Sequence, residues 1–191
     1  MNKTKRKIFE TSMKLFAEKG YEATSIEEIT ATVGVAKGTL YYHFSSKDEI
    51  FYFLVEEGMK LLKNSIEIKT SKLDNAIDQL KAIILIEIKV LVKYENVISI
   101  ILSQIWGNKE RNVACQKYVF DYINTVEKII ETGIQKGQII SCNPELLASS
   151  IFAVTCSSLI YKIKNGSDIQ IDALYQEYVN TLIGGLSPQD K

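Results

Sequence analysis

Proline is almost missing from this chain, with two in 191 residues, and glycine occurs only ten times. So few turn formers leave little room for long linkers and argue against an all-β fold. Histidine occurs once, and the three cysteines, Cys115, Cys142 and Cys156, are far apart. They make no Cys-x-x-Cys pair and no Cys/His cluster, so neither a metal site nor a cofactor is expected. The same poverty in nucleophile–base combinations argues against an enzyme. The odd cysteine count, with no recognisable leader, fits a reducing cytoplasm. An excess of one charge is missing too, since 23 Lys/Arg balance 23 Asp/Glu. Charge alone therefore does not mark a nucleic-acid binder. The most apolar stretch, Lys81 to Trp106, is broken by Glu87, Lys89, Lys93 and Glu95. It falls short of the roughly 20 apolar residues of a membrane span, and no membrane partner is expected.

What is present is helical periodicity. Ile8, Met13, Leu15, Phe16 and Ala17 mark a first helix that Gly20 ends. A second helix is predicted from Thr24, because Thr24 to Glu27 reads as a capping box, and Gly34 closes it. A third runs from about Ala36 to His43, anchored by Val35, Leu40 and Phe44, and a second box, Ser46 to Glu49, opens a fourth that reaches about Asn64. Apolar spacing then predicts helices over 73–94, 97–106, 113–136, 144–164 and 171–186, with Asn143 as cap and Pro144 as first residue of the penultimate one. The expected fold is all-α, with about nine helices and no repeat.

A short helix, a glycine turn and a second short helix is the helix-turn-helix pattern, whose second helix can lie in the DNA major groove. Lys37 and Thr39 then stand near the start of that helix, where bases are within reach, and Gly38 permits close backbone approach. Tyr41, Tyr42 and His43 offer O–H or N–H donors to phosphates, and Thr24 and Lys47 lie at helix starts that favour anions. Lys3, Lys5, Arg6 and Lys7 add a basic start to residues 1–50, which hold eight bases and seven acids. Core packing of either tyrosine and a merely solvated Lys37 remain open on spacing alone.

The stretch LFAEKGYEATSIEEITATVGVAKGTLYYHFSSKDEIF, Leu15 to Phe51, resembles the tetracycline-repressor (TetR) family of bacterial transcription regulators. The resemblance covers about 50 residues. It implies a DNA-binding domain over 1–46 and a ligand-binding and dimerisation domain over 47–191. It places Thr24, Lys37, Gly38, Thr39, Tyr41, Tyr42, His43 and Lys47 on DNA-contacting positions. Ala36, where many members carry Ser, and Thr30, where Ala is common, depart from the pattern. The implied partners are a palindromic operator in double-stranded DNA, a small-molecule effector and a second copy of the chain. The usual logic is repression relieved by ligand.

The larger half is less legible. Tyr94, Trp106, Tyr118, Tyr122, Phe152 and Cys156 are candidate effector contacts, since aromatics with polar tips both line and orient. Its apolar character points to a hydrophobic or amphipathic ligand. Glu87 and Lys89 read as a solvated face, with contact to a polar ligand as the alternative. Helices over 145–164 and 171–186 supply the expected dimer contacts Leu147, Ile151, Val154, Leu159, Leu174, Tyr178 and Leu182. Packing of both helices within one monomer is the alternative.

Overall fold

The structure is a computed structural model that describes residues 2–166 and 170–186. Among these residues the chain forms nine α-helices and no strand. They are α1 (Lys3–Lys19), α2 (Ile26–Val33), α3 (Lys37–His43), α4 (Lys47–Thr70), α5 (Ala76–Lys93), α6 (Glu95–Ile105), α7 (Glu110–Gln135), α8 (Pro144–Asn165) and α9 (Ile171–Ile183).

Local chemistry sets the ends. Asn2 accepts from the Lys5 amide at 2.8 Å, so the basic start is itself the first turn of α1 rather than a free arm. The cap of α2 is Ser25, whose hydroxyl accepts from the Glu28 amide at 3.1 Å, and not Thr24 as the capping-box spacing predicts. Thr24 is buried and its hydroxyl donates to the carbonyls of Gly20 (2.9 Å) and Leu15 (3.3 Å). Gly34 ends α2 at φ 77°, a left-handed conformation that glycine adopts without strain. At α4, Ser46 accepts from the Glu49 amide at 3.0 Å, but the Glu49 carboxylate turns back to Ser45. The reciprocal half of that box is displaced by one residue. α4 also runs six residues past Asn64, because Leu62 and Ile66 keep its buried face continuous.

The chain divides into two compact units, Met1–Met59 with Asn96–Tyr118, and Lys60–Glu95 with Val119–Lys191. The divisions fall inside α4, after the first residue of α6 and inside α7, so α4 and α7 each contribute to both units. Ile50, Phe51 and Leu54 of α4 are buried in the same unit as the first three helices.

In the first unit α1 packs on α2 and α3, and α2 on α3. Ile8, Phe16, Ile29, Leu40, Phe44, Ile50 and Phe51 fill its core. Phe53 meets Phe9 and Phe44 with ring centroids 5.1 and 5.8 Å apart. Each such side chain contributes about 1.5–3 kcal/mol on burial. In the second unit α5 packs on α8 and α9. Gly133 of α7 lets that helix come close: a Cβ there would stand 2.6 Å from the Ala76 Cβ and 2.7 Å from Ile139 Cδ1. By length and composition α8 is long and apolar enough to cross a membrane, which the reading of residues 81–106 did not anticipate. Yet Ala148, Ile151, Thr155, Ser158 and Leu159 of α8 are core positions of this unit.

Candidate nucleic-acid interface and effector site

Helix α3 is seven residues long, and Leu40 and Phe44 hold it to the unit. Val35 is only half-buried. The other face is open. Lys37, Gly38, Tyr41 and Tyr42 are exposed, Tyr42 to 84%, and Thr39 and His43 are half-buried. Tyr42 and His43 meet edge to face at 5.0 Å. Nothing lies within 4 Å of where a Gly38 Cβ would be, so this backbone is open to close approach. Ala36 caps α3 with no side-chain hydrogen bond, leaving the first amides of the helix without a side-chain acceptor. Lys37 is not free: its Nζ bonds Glu27 Oε1 of α2 at 2.5 Å and holds that carboxyl below its ordinary pKa. Of the six expected DNA-contact residues on α3, Lys37, Gly38, Tyr41 and Tyr42 are thus exposed, with Thr39 and His43 half-buried beside them.

Thr24 and Lys47 do not join them in the same way. Thr24 is a structural tie rather than a phosphate donor, since its hydroxyl is buried and committed. Lys47 donates to the carbonyls of Tyr21 and Thr24, each at 2.8 Å, and lies 4.3 Å above the Tyr21 ring. Burial lowers its pKa. Two of its three N–H groups thus brace the α1–α2 turn. Lys7 likewise caps α2 by donating to the Val33 carbonyl at 2.9 Å, and Lys5 stands 4.7 Å over the Phe44 ring. Sequence reasoning missed Arg111 altogether. At the start of α7 it bonds Glu22 (2.6 Å) and Asp48 (3.3 Å), takes Gln104 Oε1 at 3.0 Å, and stacks 3.9 Å from the Tyr21 ring. Asp48 also accepts from the Tyr21 hydroxyl at 2.7 Å. Burial first, and then Asp48, push the Tyr21 pKa upward.

The second unit brings together three of the six expected effector contacts. Tyr122 of α7 is 2% exposed, and its ring lies 5.8 Å from that of Phe152 on α8. Cys156 is close by, its thiol pushed up to about 12 by burial and by the neighbouring charge of Glu87. At the centre is Glu87 of α5, which is 5% exposed, contrary to the solvated face expected for it; Lys89 is the exposed one. The signal was in the spacing: Leu80, Ile83, Ile84, Glu87, Ile88 and Leu91 lie on one helical stripe, and the other five are buried. The Tyr122 hydroxyl donates to Glu87 Oε1. Burial raises the Glu87 pKa to about 7 against the lowering effects of Tyr122 and Thr155. The remaining candidates lie elsewhere. Trp106 is 84% exposed and belongs, with half-buried Tyr118, to the first unit, while Tyr94 is the C-terminal cap of α5.

Of the expected dimer contacts, Ile151 and Leu159 are buried within the protomer, on a helix that packs on α5. The Tyr178 hydroxyl lies 3.1 Å from those of both Ser157 and Ser158. Leu147, Val154, Leu174 and Leu182 are half-buried. The exposed apolar positions of α8 are Leu146, Ile160, Tyr161 and Ile163.

An all-α chain with a helix-turn-helix in one unit, and a second helical unit around a buried polar pair, has the build of a DNA-binding transcription regulator. Residues 8–52 match the family described as bacterial regulatory proteins, tetR family. A Clostridium perfringens protein named for fatty acid metabolism regulation shares the fold over 97% of this chain and 100% of its own, at 30% identity and TM-score 0.87. The chain belongs to the tetR family of bacterial regulatory proteins. IcaR, the negative transcriptional regulator of the biofilm operon icaADBC in Staphylococcus aureus, is 38% identical over 76 residues, 40% of this chain and 41% of that protein. The chain thus matches less than half of that curated relative's length. The transcriptional regulator FadR from Bacillus subtilis, in complex with stearoyl-CoA, shares the fold at 23% identity and TM-score 0.82, over 94% of this chain and 98% of its own.

Proposed function

We propose that this chain is a repressor that holds a palindromic operator and releases it on binding an amphipathic acyl-thioester effector. The observation that carries the DNA half is the exposed face of α3, where Lys37, Gly38, Thr39, Tyr41, Tyr42 and His43 stand on a helix anchored by Leu40 and Phe44. Lys37 exchanges Glu27 for a base edge, and Thr39 reads beside it. The tyrosine hydroxyls, His43 and the third N–H of Lys47 bind phosphates. Residues 1–46 act as the DNA-contacting domain and 47–191 as the ligand-binding and dimerisation domain.

The protein acts as a homodimer in this reading. Only 28% of the most apolar stretch of α8 is buried within the protomer, and Leu146, Ile160 and Ile163 are exposed there. A second copy seated on α8 and α9 covers them in a four-helix contact. Its two α3 helices meet half-sites about 34–36 Å apart. The effector class is drawn from the likeness to a regulator named for fatty acid metabolism and to one bound to stearoyl-CoA. Ligand and operator each lower affinity for the other, as linkage requires. The continuous helices α4 and α7, which belong to both units, carry the coupling.

The test is selection of genomic fragments from the source organism by the purified protein at physiological salt, with and without stearoyl-CoA. The expected outcome is a few fragments sharing an inverted repeat, lost when the thioester is added. Uniform recovery with refolded, ligand-free protein overturns the operator reading. Retention of the same fragments with saturating thioester bound overturns the release.

A further inference from the structure

We infer that Glu87 is the polar recognition point of the effector site, and that the effector presents an O–H or N–H donor to its Oε2. This deepens the acyl-thioester reading above and rests on it. The geometry is one-sided. Oε1 accepts from Tyr122, whereas Oε2 is buried with no hydrogen-bond partner among the described residues. Thr155 stands beside the carboxyl and lowers its pKa, but its one hydroxyl also lies within bonding distance of the Ile151 and Phe152 carbonyls, at 3.0 and 2.9 Å, and donates to only part of this set at a time. Cys156 offers only a thiol, a weak donor. The α5 residues on the same stripe, Ile83, Ile84, Ile88 and Leu91, are buried and apolar.

A carboxyl oxygen in such surroundings costs stability unless something donates to it. Leucine would fill the place without that cost. A bare alkyl chain offers nothing to Oε2. A hydroxyl on the acyl chain does, and so does an amide N–H of the pantetheine arm; both are the same chemistry from two sources. Tyr122 fixes the carboxyl rotamer by holding Oε1, and so aims Oε2 at one donor. A site built this way discriminates strongly against a ligand lacking the donor.

Calorimetric titration of the full-length protein with stearoyl-CoA, 3-hydroxystearoyl-CoA and stearate, repeated on Glu87→Leu, tests it. If the chain hydroxyl is the donor, wild type binds the 3-hydroxy thioester about 10- to 100-fold more tightly than stearoyl-CoA. Glu87→Leu then binds the two alike. If the pantetheine amide is the donor, wild type shows no hydroxyl preference, and Glu87→Leu weakens stearoyl-CoA about tenfold or more while leaving stearate unchanged. Either result supports the inference. Equal binding of both thioesters by wild type and variant overturns it and leaves the acyl-thioester reading standing. Failure of wild type to bind any thioester overturns that reading and this one with it. If Glu87→Leu does not fold, Glu87→Gln decides: Tyr122 donates to its one carbonyl oxygen, which leaves an NH2 that cannot accept in the place of Oε2, so the donor-dependent affinity must fall about tenfold. An unchanged affinity overturns the inference.

Discussion

Tyr42 leaves 84% of its surface to solvent and Tyr122 leaves 2%. The first sits on α3 among other exposed polar side chains; the second holds one oxygen of a buried carboxyl and leaves the other bare. The difference separates two ways of making a binding site. On α3 the donors keep their water until a partner replaces it, so the free protein bears little cost for them. Around Glu87 one carboxyl oxygen is buried without a protein donor, and a buried acceptor of this kind costs stability unless something donates to it. The exposed donors of α3 thus stand ready at little cost in the free protein, whereas the buried carboxyl carries a cost that its own burial creates.

The comparison breaks first at the anchor of α3. Leu40→Ala removes a fully buried side chain and should cost about 2–5 kcal/mol in urea unfolding, with DNA binding lost alongside. A cost under about 1 kcal/mol would mean that α3 is not held by that contact.

Next comes the pH dependence of the buried site. The Glu87 pKa is raised from an ordinary 4.5 to about 7, so the folded chain holds this proton more tightly than the unfolded one. Its contribution to stability is complete below pH 4.5 and is lost as pH rises toward about 7. Tyr122 and Cys156, which face it from α7 and α8, titrate far above this window. Relative to Glu87→Gln, wild type should lose about 3 kcal/mol across that window, measured by urea unfolding at pH 5 and pH 8. Parallel profiles would place the carboxyl in water.

The surface site responds in binding instead. Lys37→Ala should relax preference at one base pair per half-site by about tenfold, read from a panel of operator variants, with urea stability unchanged. The smallest effect is Tyr42→Phe, which removes one hydroxyl. It should weaken all operator variants by about fivefold and lower the salt dependence little. Base-selective loss in Tyr42→Phe with uniform loss in Lys37→Ala would exchange their roles.

Much of the first unit was legible in the sequence because its rules are local. Gly20 and Gly34 end helices, and Leu40 with Phe44 marks the inner face of α3; in the second unit the same kind of local rule lets Asn143 with Pro144 start a helix. Thr24 was misread because a buried hydroxyl and a capping hydroxyl look alike in a sequence, and Ser25 next to it fits the cap equally well. Lys47, expected at an anion-favouring helix start, and Lys7, part of the basic start, both close on carbonyls about 26 residues away in the chain. The grouping of Arg111 with Tyr21, Glu22 and Asp48 spans too much sequence for any local pattern to reveal.

The sequence by itself determined that the chain is helical, where most helices begin and end, and which short helix presents the polar face, because helix period, caps and breakers act over four residues or fewer. Only the tertiary structure decided that Glu87 is buried against Tyr122 while Trp106 is not, and that Ile151 and Leu159 face inward. Those outcomes depend on which helix stripes pack together, and on burial strong enough to change what a carboxyl group does at neutral pH.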